Sequence, residues 1–336
     1  MASFSKFGND LYTGARSINF VGRRKIWYAI AAVMVILSVL IPIARGGFVL
    51  GIEFRGGSEF QVAGVADLDQ DDARAEAQDI ARDAVLTVVA EGSPRVSIVG
   101  TDSVRVQTEQ LEPEESNDVR TALATAFDVP ESDVTASFIG PSWGADITGS
   151  AIRALLVFLG LAAIFMAIYF RTWKMSLAAM TALVHDVVIT AGIYGIVGFE
   201  VTPAAVIGFL TILGFSLYDT VVVFDKIREN TLEDGNASPR TFAESVNLAV
   251  NQTLVRSINT GVVAALPVAA ILFIGAYILG AGTLRDIALA LFIGIVLGTY
   301  STIFIAAPFY SQLRENEPEI RDHARKVMAA REAANS

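Results

Sequence analysis

Six apolar runs dominate this chain of 336 residues. Each is close to the about 17 to 25 residues that a helix needs to cross the hydrocarbon core of a bilayer. Within lipid every backbone polar group must find a partner inside the protein, so apolar runs of this length fold as helices. The runs lie at Ile26–Ala44, Ala154–Phe170, Ser176–Gly198, Ala204–Phe224, Ser257–Leu279 and Ile287–Pro308. The sequence therefore predicts an α-helical integral membrane protein with six transmembrane helices.

The first run follows Arg23, Arg24 and Lys25, as the apolar core of a secretory signal would. It is longer than such a core, and Ile43-Ala44-Arg45-Gly46 lacks the small-residue pattern of a cleavage site. We therefore expect an uncleaved helix.

Basic residues lie on one side of the six runs, which the positive-inside rule makes the cytoplasmic side. They precede the first run, separate the second from the third and the fourth from the fifth, and follow the sixth. We therefore expect both termini in the cytoplasm. The predicted organisation begins with a cytoplasmic segment at 1–25, transmembrane helix one at 26–45 and an extracytoplasmic domain at 46–150. Helices two to six follow over 151–308, with a cytoplasmic loop at about 225–256. A cytoplasmic tail at 309–336 ends the chain.

Residues 46–150 differ from the rest in charge and in pattern. They carry 6 Arg, no Lys and 20 Asp plus Glu, against a net charge of −10 for the whole chain. The acidity thus belongs to one domain and gives no indication of nucleic-acid binding. Short strand and helix patterns follow each other as β-α-β-β-α-β, which predicts an α+β ferredoxin-like fold. Its acidic surface fits either simple solvation or a docking face for a passing chain or a partner.

Asp219 stands inside the fourth apolar run, where a charge costs roughly 2.5 to 3.5 kcal/mol by insertion scales. Arg256 lies near the corresponding end of the fifth run, and an arginine beside a buried carboxylate changes how readily it takes up a proton. A proton relay between the two is one interpretation. The other is a static ion pair that only locates two helices.

Other polar or small residues within the runs carry weaker signals. His185 and Asp186 lie near the middle of the third run, where they fit either a titrating pair or a hydrogen bond across a helix interface. Gly294 and Gly298 form a GxxxG pattern, which favours close helix contact. Ser238-Pro239 predicts the start of a short amphipathic helix at the membrane surface.

Several segments together resemble the SecF family of the bacterial Sec protein-export machinery, within the resistance-nodulation-division (RND) superfamily. The most specific is the run from Tyr218 to Asn230, YDTVVVFDKIREN. The others are GIEFRGG at 51–57, IGPSWGAD at 139–146, HDV at 185–187 and GTYSTI at 298–303. The chain departs from the family pattern at Glu53, where Asp is more frequent, and at Tyr218, where Asn is frequent.

The resemblance implies an RND-type half of six spans in the bacterial cytoplasmic (inner) membrane, paired with SecD. It also implies use of the proton motive force to promote preprotein export. In that function Asp219 would be the titrating acid and Arg256 its partner. Asn259 and Thr260 would belong to the polar motif of span five. The expected partners are the SecYEG channel and unfolded preproteins, with YajC and YidC as further candidates.

Two other classes remain open at this stage. A proton-coupled small-molecule exporter of the same superfamily would share the intramembrane acid, and a scaffold of the translocation channel would use Asp219 only structurally. The chain has no Cys and no nucleotide-binding loop. We therefore expect no enzymatic activity, no cofactor and no metal.

Overall fold

The computed structural model describes residues 2–65, 68, 70–90, 92–234, 238–275 and 282–335. Within them, six helices are long and apolar enough to cross a membrane, which confirms the six predicted spans. We call them spans one to six in chain order. They cover Arg24–Ala44, Ser142–Phe170, Trp173–Val197, Pro203–Thr231, Phe242–Ile274 and Leu284–Glu315.

Two predicted boundaries differ from the structure. Helix α6 (Pro141–Phe170) begins before the end of the predicted external domain, because Pro141 is at its first position and pre-sets the helical φ angle. Helices α8 (Pro203–Asp234) and α9 (Phe242–Ala270) extend through most of the loop predicted at about 225–256.

The short surface helix predicted after Pro239 is the first part of α9 and not a separate element. Its start lies at Thr241, which forms a capping box with Glu244. No Pro or Gly occurs between 242 and 260 to end the helix again. The predicted end of span five, at 276–279, lies outside the described residues.

A four-stranded antiparallel sheet forms between spans one and two. Its strands are β2 (Gly57–Ala63), β3 (Arg95–Val99), β4 (Ser103–Thr108) and β5 (Val134–Ile139). Their order in the sheet is β3-β4-β2-β5. Helices α4 (Asp71–Val88) and α5 (Pro113–Ala126) complete the unit, which we call the sheet domain (57–139).

The sheet domain has its own apolar core. Alternate residues of β2 and β4, among them Phe60, Val62, Val104 and Val106, are fully buried. They form one cluster with buried residues of both helices, such as Leu123. Period-two burial on the strands and a buried stripe on each helix are the patterns that one sheet covered on one face requires.

A two-residue parallel ladder, which the sequence did not predict, ties the sheet domain to the spans. Strand β1 (Val49–Leu50) follows span one, and β6 (Glu200–Val201) lies between spans three and four. The register pairs Val49 with Glu200 and Leu50 with Val201. One turn of helix, α3 (Ile52–Arg55), then leads directly into β2.

The segment 51–57 packs against the start of α6 through glycine. A Cβ on Gly144 would lie 2.5 Å from the carbonyl oxygen of Phe54. Gly57 has φ of 141°, and its Cβ would overlap the carbonyl oxygen of Thr108. Two of the segments that carry the family resemblance therefore meet in space, because glycine lets their backbones approach closely.

Span six begins with α10 (Gly282–Ser301), passes through a π-helical turn (Thr302–Ala306) and ends with α11 (Ala307–Glu315). It lies very close to α8. A Cβ on Gly294 would overlap the side chain of Ile212, and one on Gly298 would lie 3.0 Å from the Cβ of Ser216. The predicted role of the GxxxG pattern in close helix contact is confirmed.

Four further α-helices belong to the described chain, and two of them are spans already named. They are α1 (Ala2–Thr13), α2 (Arg24–Ala44, span one), α7 (Trp173–Val197, span three) and α12 (Pro318–Asn335). Leu11 of α1 is fully buried in a cluster that includes residues of α9 and α11.

Replacing Gly294 by Ala is expected to destabilise the bundle by about 1–3 kcal/mol, because the new methyl group overlaps Ile212 and forces α8 and α10 apart. The unfolding temperature of the purified protein in detergent is the measurement. Gly160→Ala in span two is the matched control, since a Cβ there meets no atom of the described residues within 4 Å. Equal unfolding temperatures for the two variants would contradict the close contact.

Candidate functional site

A cluster of polar side chains lies inside the apolar bundle where spans three to six meet. Each member is less than a tenth exposed, although its neighbours in sequence are largely apolar. Polar groups at such depth are costly unless they are paired or used. The members are His185, Asp186, Ser216, Asp219, Thr220, Ser257, Ser301 and Thr302.

Asp186 is held by hydroxyl donors from two other spans. Its Oδ2 accepts hydrogen bonds from the Oγ of Ser216, at 2.7 Å, and from the Oγ of Ser301, at 2.8 Å. Its Oδ1 lies 3.2 Å from Nδ1 of His185. Both carboxylate oxygens therefore have partners, as a structural hydrogen-bonded group would. Asp186 thus makes hydrogen bonds across two helix interfaces, and titration of His185 and Asp186 stays a prediction.

His185 makes its contact to Asp186 through one ring nitrogen only. Its Nε2 is buried and has no hydrogen-bond partner among the described residues. The ring lies 6.2 Å from the ring of Tyr300, measured between centroids. One ring nitrogen is thus available for a further partner.

Asp219 has a different environment from Asp186. Its Oδ1 accepts a hydrogen bond from the Oγ of Ser257, at 2.8 Å. Its Oδ2 is buried without a hydrogen-bond partner in the part of the chain that the structure describes. A proton can add to this oxygen without breaking an existing bond. Asp219 therefore differs from Asp186 in keeping one carboxylate oxygen without a partner among the described residues.

Arg256, the predicted partner of Asp219, points elsewhere. Its side chain is exposed, and no ion pair joins it to Asp219 within 4.0 Å among the described residues. The next residue, Ser257, contacts Asp219 instead. Successive helical residues point about 100° apart, so contact by Ser257 turns Arg256 away. Among the described residues the two therefore do not form a static ion pair, and a relay between them stays a prediction.

Arg256 is one of three exposed polar residues that lie, in the chain, within two positions of Asp219 or Ser257. Tyr218 is 55% exposed, and Asn259 is exposed on the turn after Arg256. Thr260 is only partly buried and, like Asn259, lies outside the polar cluster. We call Tyr218, Arg256 and Asn259 the outward polar face.

Three contributions to the cluster were not assigned from sequence. Ser257 holds Asp219, and Ser301 holds Asp186. The Oγ1 of Thr220 lies 2.9 Å from that of Thr302, the first residue of the π-helical turn. Such turns often occur at functional sites. In the sequence, the adjacent hydroxyl residues Ser301 and Thr302 within an apolar run are the signal that could have identified two of these residues.

A second polar cluster, which we call the junction, lies where the sheet domain meets the spans. Nε2 of Gln107 on β4 donates to Oε2 of Glu59, at 3.0 Å, and to Oε1 of Glu200, at 2.7 Å. Arg105 forms an ion pair with Glu59 at 3.7 Å. The Oε2 of Glu53 is buried there without a partner among the described groups. These residues and Asp286 of α10 together line a cavity of about 230 Å³.

Burial is the largest effect and raises the pKa of the Glu53 carboxyl. A backbone hydrogen bond opposes it, the charges of Glu200 and Glu59 add smaller increases, and Arg105 lowers the pKa slightly. Within the described ranges no group of three or more His, Cys, Asp or Glu side chains is placed to hold a metal ion. The junction is thus a hydrogen-bonded contact between the sheet domain and the loop that joins spans three and four.

The comparisons with known proteins agree on one family. Residues 118–316 match the model of the C-terminal region of the protein export membrane proteins SecD and SecF. A protein translocase subunit SecF of Streptomyces coelicolor is 43% identical over 98% of this chain and 86% of its own length. One from Mycobacterium tuberculosis is 40% identical over 98% of this chain and 74% of its own length.

A solved structure of the translocon-associated membrane protein SecDF of Thermus thermophilus is also similar. It is 30% identical, with a TM-score of 0.75 over 90% of this chain. The chain spans 39% of that SecDF chain. It therefore corresponds to one part of a longer polypeptide in that relative.

Removing both hydroxyl donors to Asp186, in Ser216→Ala with Ser301→Ala, is expected to destabilise the bundle. Hydrogen bonds between membrane helices average about 0.6 kcal/mol, but a buried acceptor left without any donor costs about 1–3 kcal/mol. The measurement is the unfolding temperature in detergent. Thr211→Ala serves as the control, because Thr211 is exposed and, among the described residues, its hydroxyl bonds only within its own helix. A double variant as stable as Thr211→Ala would contradict a structural role for Asp186.

Proposed function

We propose that this chain, which belongs to the SecD/SecF family of protein-export membrane proteins, is a SecF-type subunit that uses the proton motive force to promote preprotein export. The curated relatives are protein translocase subunits, which supports an accessory role in the Sec translocase. The observation that carries the proton-driven part is Asp219. It is 3% exposed inside an apolar bundle, and one of its oxygens is unbonded among the described residues.

The energy available at such a site is sufficient for a conformational change. One elementary charge that moves across the membrane yields about 2.3 kcal/mol per 100 mV. A two-state equilibrium shifts about tenfold for each 1.4 kcal/mol. A proton that enters at Asp219 from one side and leaves to the other therefore drives a change between two arrangements of the bundle. Ser257 responds first, because it bonds to Asp219 directly.

The outward polar face fits a partner better than it fits lipid. An arginine at membrane depth costs roughly 2.5 to 3.5 kcal/mol when it faces hydrocarbon, and Arg256 is exposed there. The matched part is 39% of the SecDF polypeptide, so in that protein the same chain also contains further segments. In our proposal SecD covers Tyr218, Arg256 and Asn259, and Arg256 approaches the proton site when the two halves move. The SecYEG channel lies further out, with YajC and YidC as further contacts.

The sheet domain is proposed to be ferredoxin-like and extracytoplasmic. Its elements run β-α-β-β-α-β with the strand order β3-β4-β2-β5, which suits that fold. The basic residues near the ends of the spans favour cytoplasmic termini, and hence the opposite side for the acidic segment 46–150. In our proposal this domain contacts the emerging unfolded preprotein.

The junction is the proposed route from the proton site to the sheet domain. Helix α8 begins beside Thr202, whose Oγ1 donates to Oδ2 of Asp286 at 2.9 Å. The adjoining Glu200 bonds to Gln107 of the sheet domain. A displacement of α8 or α10 at the proton site is thus passed to the base of the sheet domain. Motion at the junction is what would let the domain hold and release a chain.

Replacing Asp219 by Asn is expected to remove the gradient-dependent part of export while it leaves membrane insertion intact, because an amide cannot exchange the proton. The measurement is preprotein translocation into inverted vesicles that contain SecD, with and without a proton gradient. Asp225→Asn on the same helix is the control. It removes a carboxylate that accepts a bond from Tyr169 outside the buried cluster.

The outcomes separate the candidate functions. Loss in Asp219→Asn alone supports proton transduction by this chain. An Asp219→Asn variant that responds to the gradient as fully as wild type would sink the mechanism and favour a channel scaffold.

A disulfide between Leu50→Cys and Val201→Cys is expected to abolish gradient-dependent export reversibly, because it fixes the base of the sheet domain to the loop between spans three and four. Paired strand residues are near the Cα separation that a disulfide accepts, these two are register partners, and the chain has no other Cys. Export is measured before and after reduction in the same vesicles.

The matched control joins two strands within the sheet domain, through Gln61→Cys and Thr135→Cys, which are register partners of β2 and β5. This bridge should leave export unchanged. Full export in the oxidised Leu50–Val201 variant would show that the sheet domain does not move at the junction, whatever Asp219 does.

A further inference from the structure

A large groove opens at the other end of the bundle from the junction. It lies among the start of span one, the start of α9, the end of span six and α12, and its volume is about 870 Å³. That is within the range of ligand pockets. Its charged lining residues are Arg24, Lys25, Arg240, Glu244, Glu315 and Arg331.

Both carboxylates in the groove are already paired. Arg24 donates to Glu315 at 2.6 Å, and Arg331 binds Glu244 through two nitrogens, each at 2.8 Å. Lys25 and Arg240 have no carboxylate within ion-pair distance among the described residues. The groove therefore carries two uncompensated positive charges, and they come from different segments of the chain.

Hydrogen bonds join the walls of the groove to one another. Asn247 on α9 accepts from the backbone N–H of Phe20 at 2.8 Å and donates to the carbonyl of Ile18 at 3.1 Å. Nη2 of Arg331 also donates to the carbonyl oxygen of Pro239, at 2.7 Å. The segment before span one and the C-terminal helix are thus both fastened to the start of α9, so the two free cations are held on a fixed frame.

An apolar stripe begins directly below the groove. Ile26 follows Lys25 in the chain, and exposed residues then recur at helical spacing along one face of span one. They are Ile26, Ile30, Val33, Leu37 and Leu40, each 39–57% exposed. A cationic cavity at the end of a span, continuous with an exposed apolar face, is the arrangement that a phospholipid requires: the phosphate lies in the cavity and the acyl chains lie along the helix.

We propose that this groove binds the headgroup of an anionic phospholipid, with Lys25 and Arg240 on its phosphate. Arg presents a fork of donors that matches phosphate oxygens, and Lys adds a compact charge. The bound lipid bridges the start of span one to the start of α9, which leads to Ser257 and Asp219. The proposal does not depend on proton transduction or on which side of the membrane the groove faces.

The experiment measures phospholipid retained by the purified full chain in detergent, by native mass spectrometry, with phosphatidylglycerol and with phosphatidylcholine. The test variant is Lys25→Gln with Arg240→Gln. The control is Arg23→Gln with Arg321→Gln, which removes the same charge from exposed positions outside the groove. Each cation near an anionic lipid contributes about 1 kcal/mol, so the test variant should bind phosphatidylglycerol about 30-fold more weakly.

Two further arms identify the ligand. Inorganic phosphate and soluble glycerophosphate are added as competitors at the concentration of the lipid. Selective retention of phosphatidylglycerol that only the test variant loses, and that neither competitor displaces, supports the proposal. Equal retention of phosphatidylcholine, equal loss in the control variant, or displacement by inorganic phosphate at that concentration would each overturn it.

Discussion

The close approach of α8 to α10 is the constraint on which the buried polar cluster depends. Gly294 and Gly298 leave no side chain between the helices, so Ser216 lies against the backbone of span six. Ser301, one turn beyond Gly298, then reaches the same oxygen of Asp186 as Ser216 does. Lipid offers no competing hydrogen bonds, and a wider spacing would leave Asp186 with an unmet acceptor. Small residues here thus make a polar interior possible.

The two buried carboxylates divide their roles by their surroundings. Asp186 has partners on both oxygens from three spans, counting its own, and ties those spans together. Asp219 has one donor, Ser257, from span five. Protonating a fully hydrogen-bonded carboxylate costs free energy, because existing hydrogen bonds are lost. A carboxylate with an unbonded oxygen can be protonated with the loss of fewer hydrogen bonds. This difference in bonding is why our proposal gives the structural role to Asp186 and the proton exchange to Asp219.

Much of this was predictable from sequence, for a physical reason. The bilayer imposes one length and one composition on every span, so the six helices and Asp219 are visible in the residues alone. The orientation of Arg256 was not predictable, because the sequence does not fix how α9 is rotated about its axis. In the structure it is the next residue, Ser257, that lies on the buried face. The β1–β6 ladder was also missed. Two residues per strand are too few to give a period, and their partners are far apart in the chain.

The distance between the proton site and the sheet domain determines how the two can communicate. About 16 residues of α8 separate Pro203 from Asp219, which is roughly 24 Å along the helix axis. No chain of polar contacts covers that distance in the described residues, so in the proposed mechanism the helices themselves carry the motion. Thr202, next to the start of α8, bonds to Asp286 of α10, and the hydroxyl of Tyr194 on span three bonds to the same residue. In this proposal a shift of α8 against α10 at Ser216 reaches the far end as a rigid displacement, and Glu200 with its ladder to β1 passes it to the sheet domain.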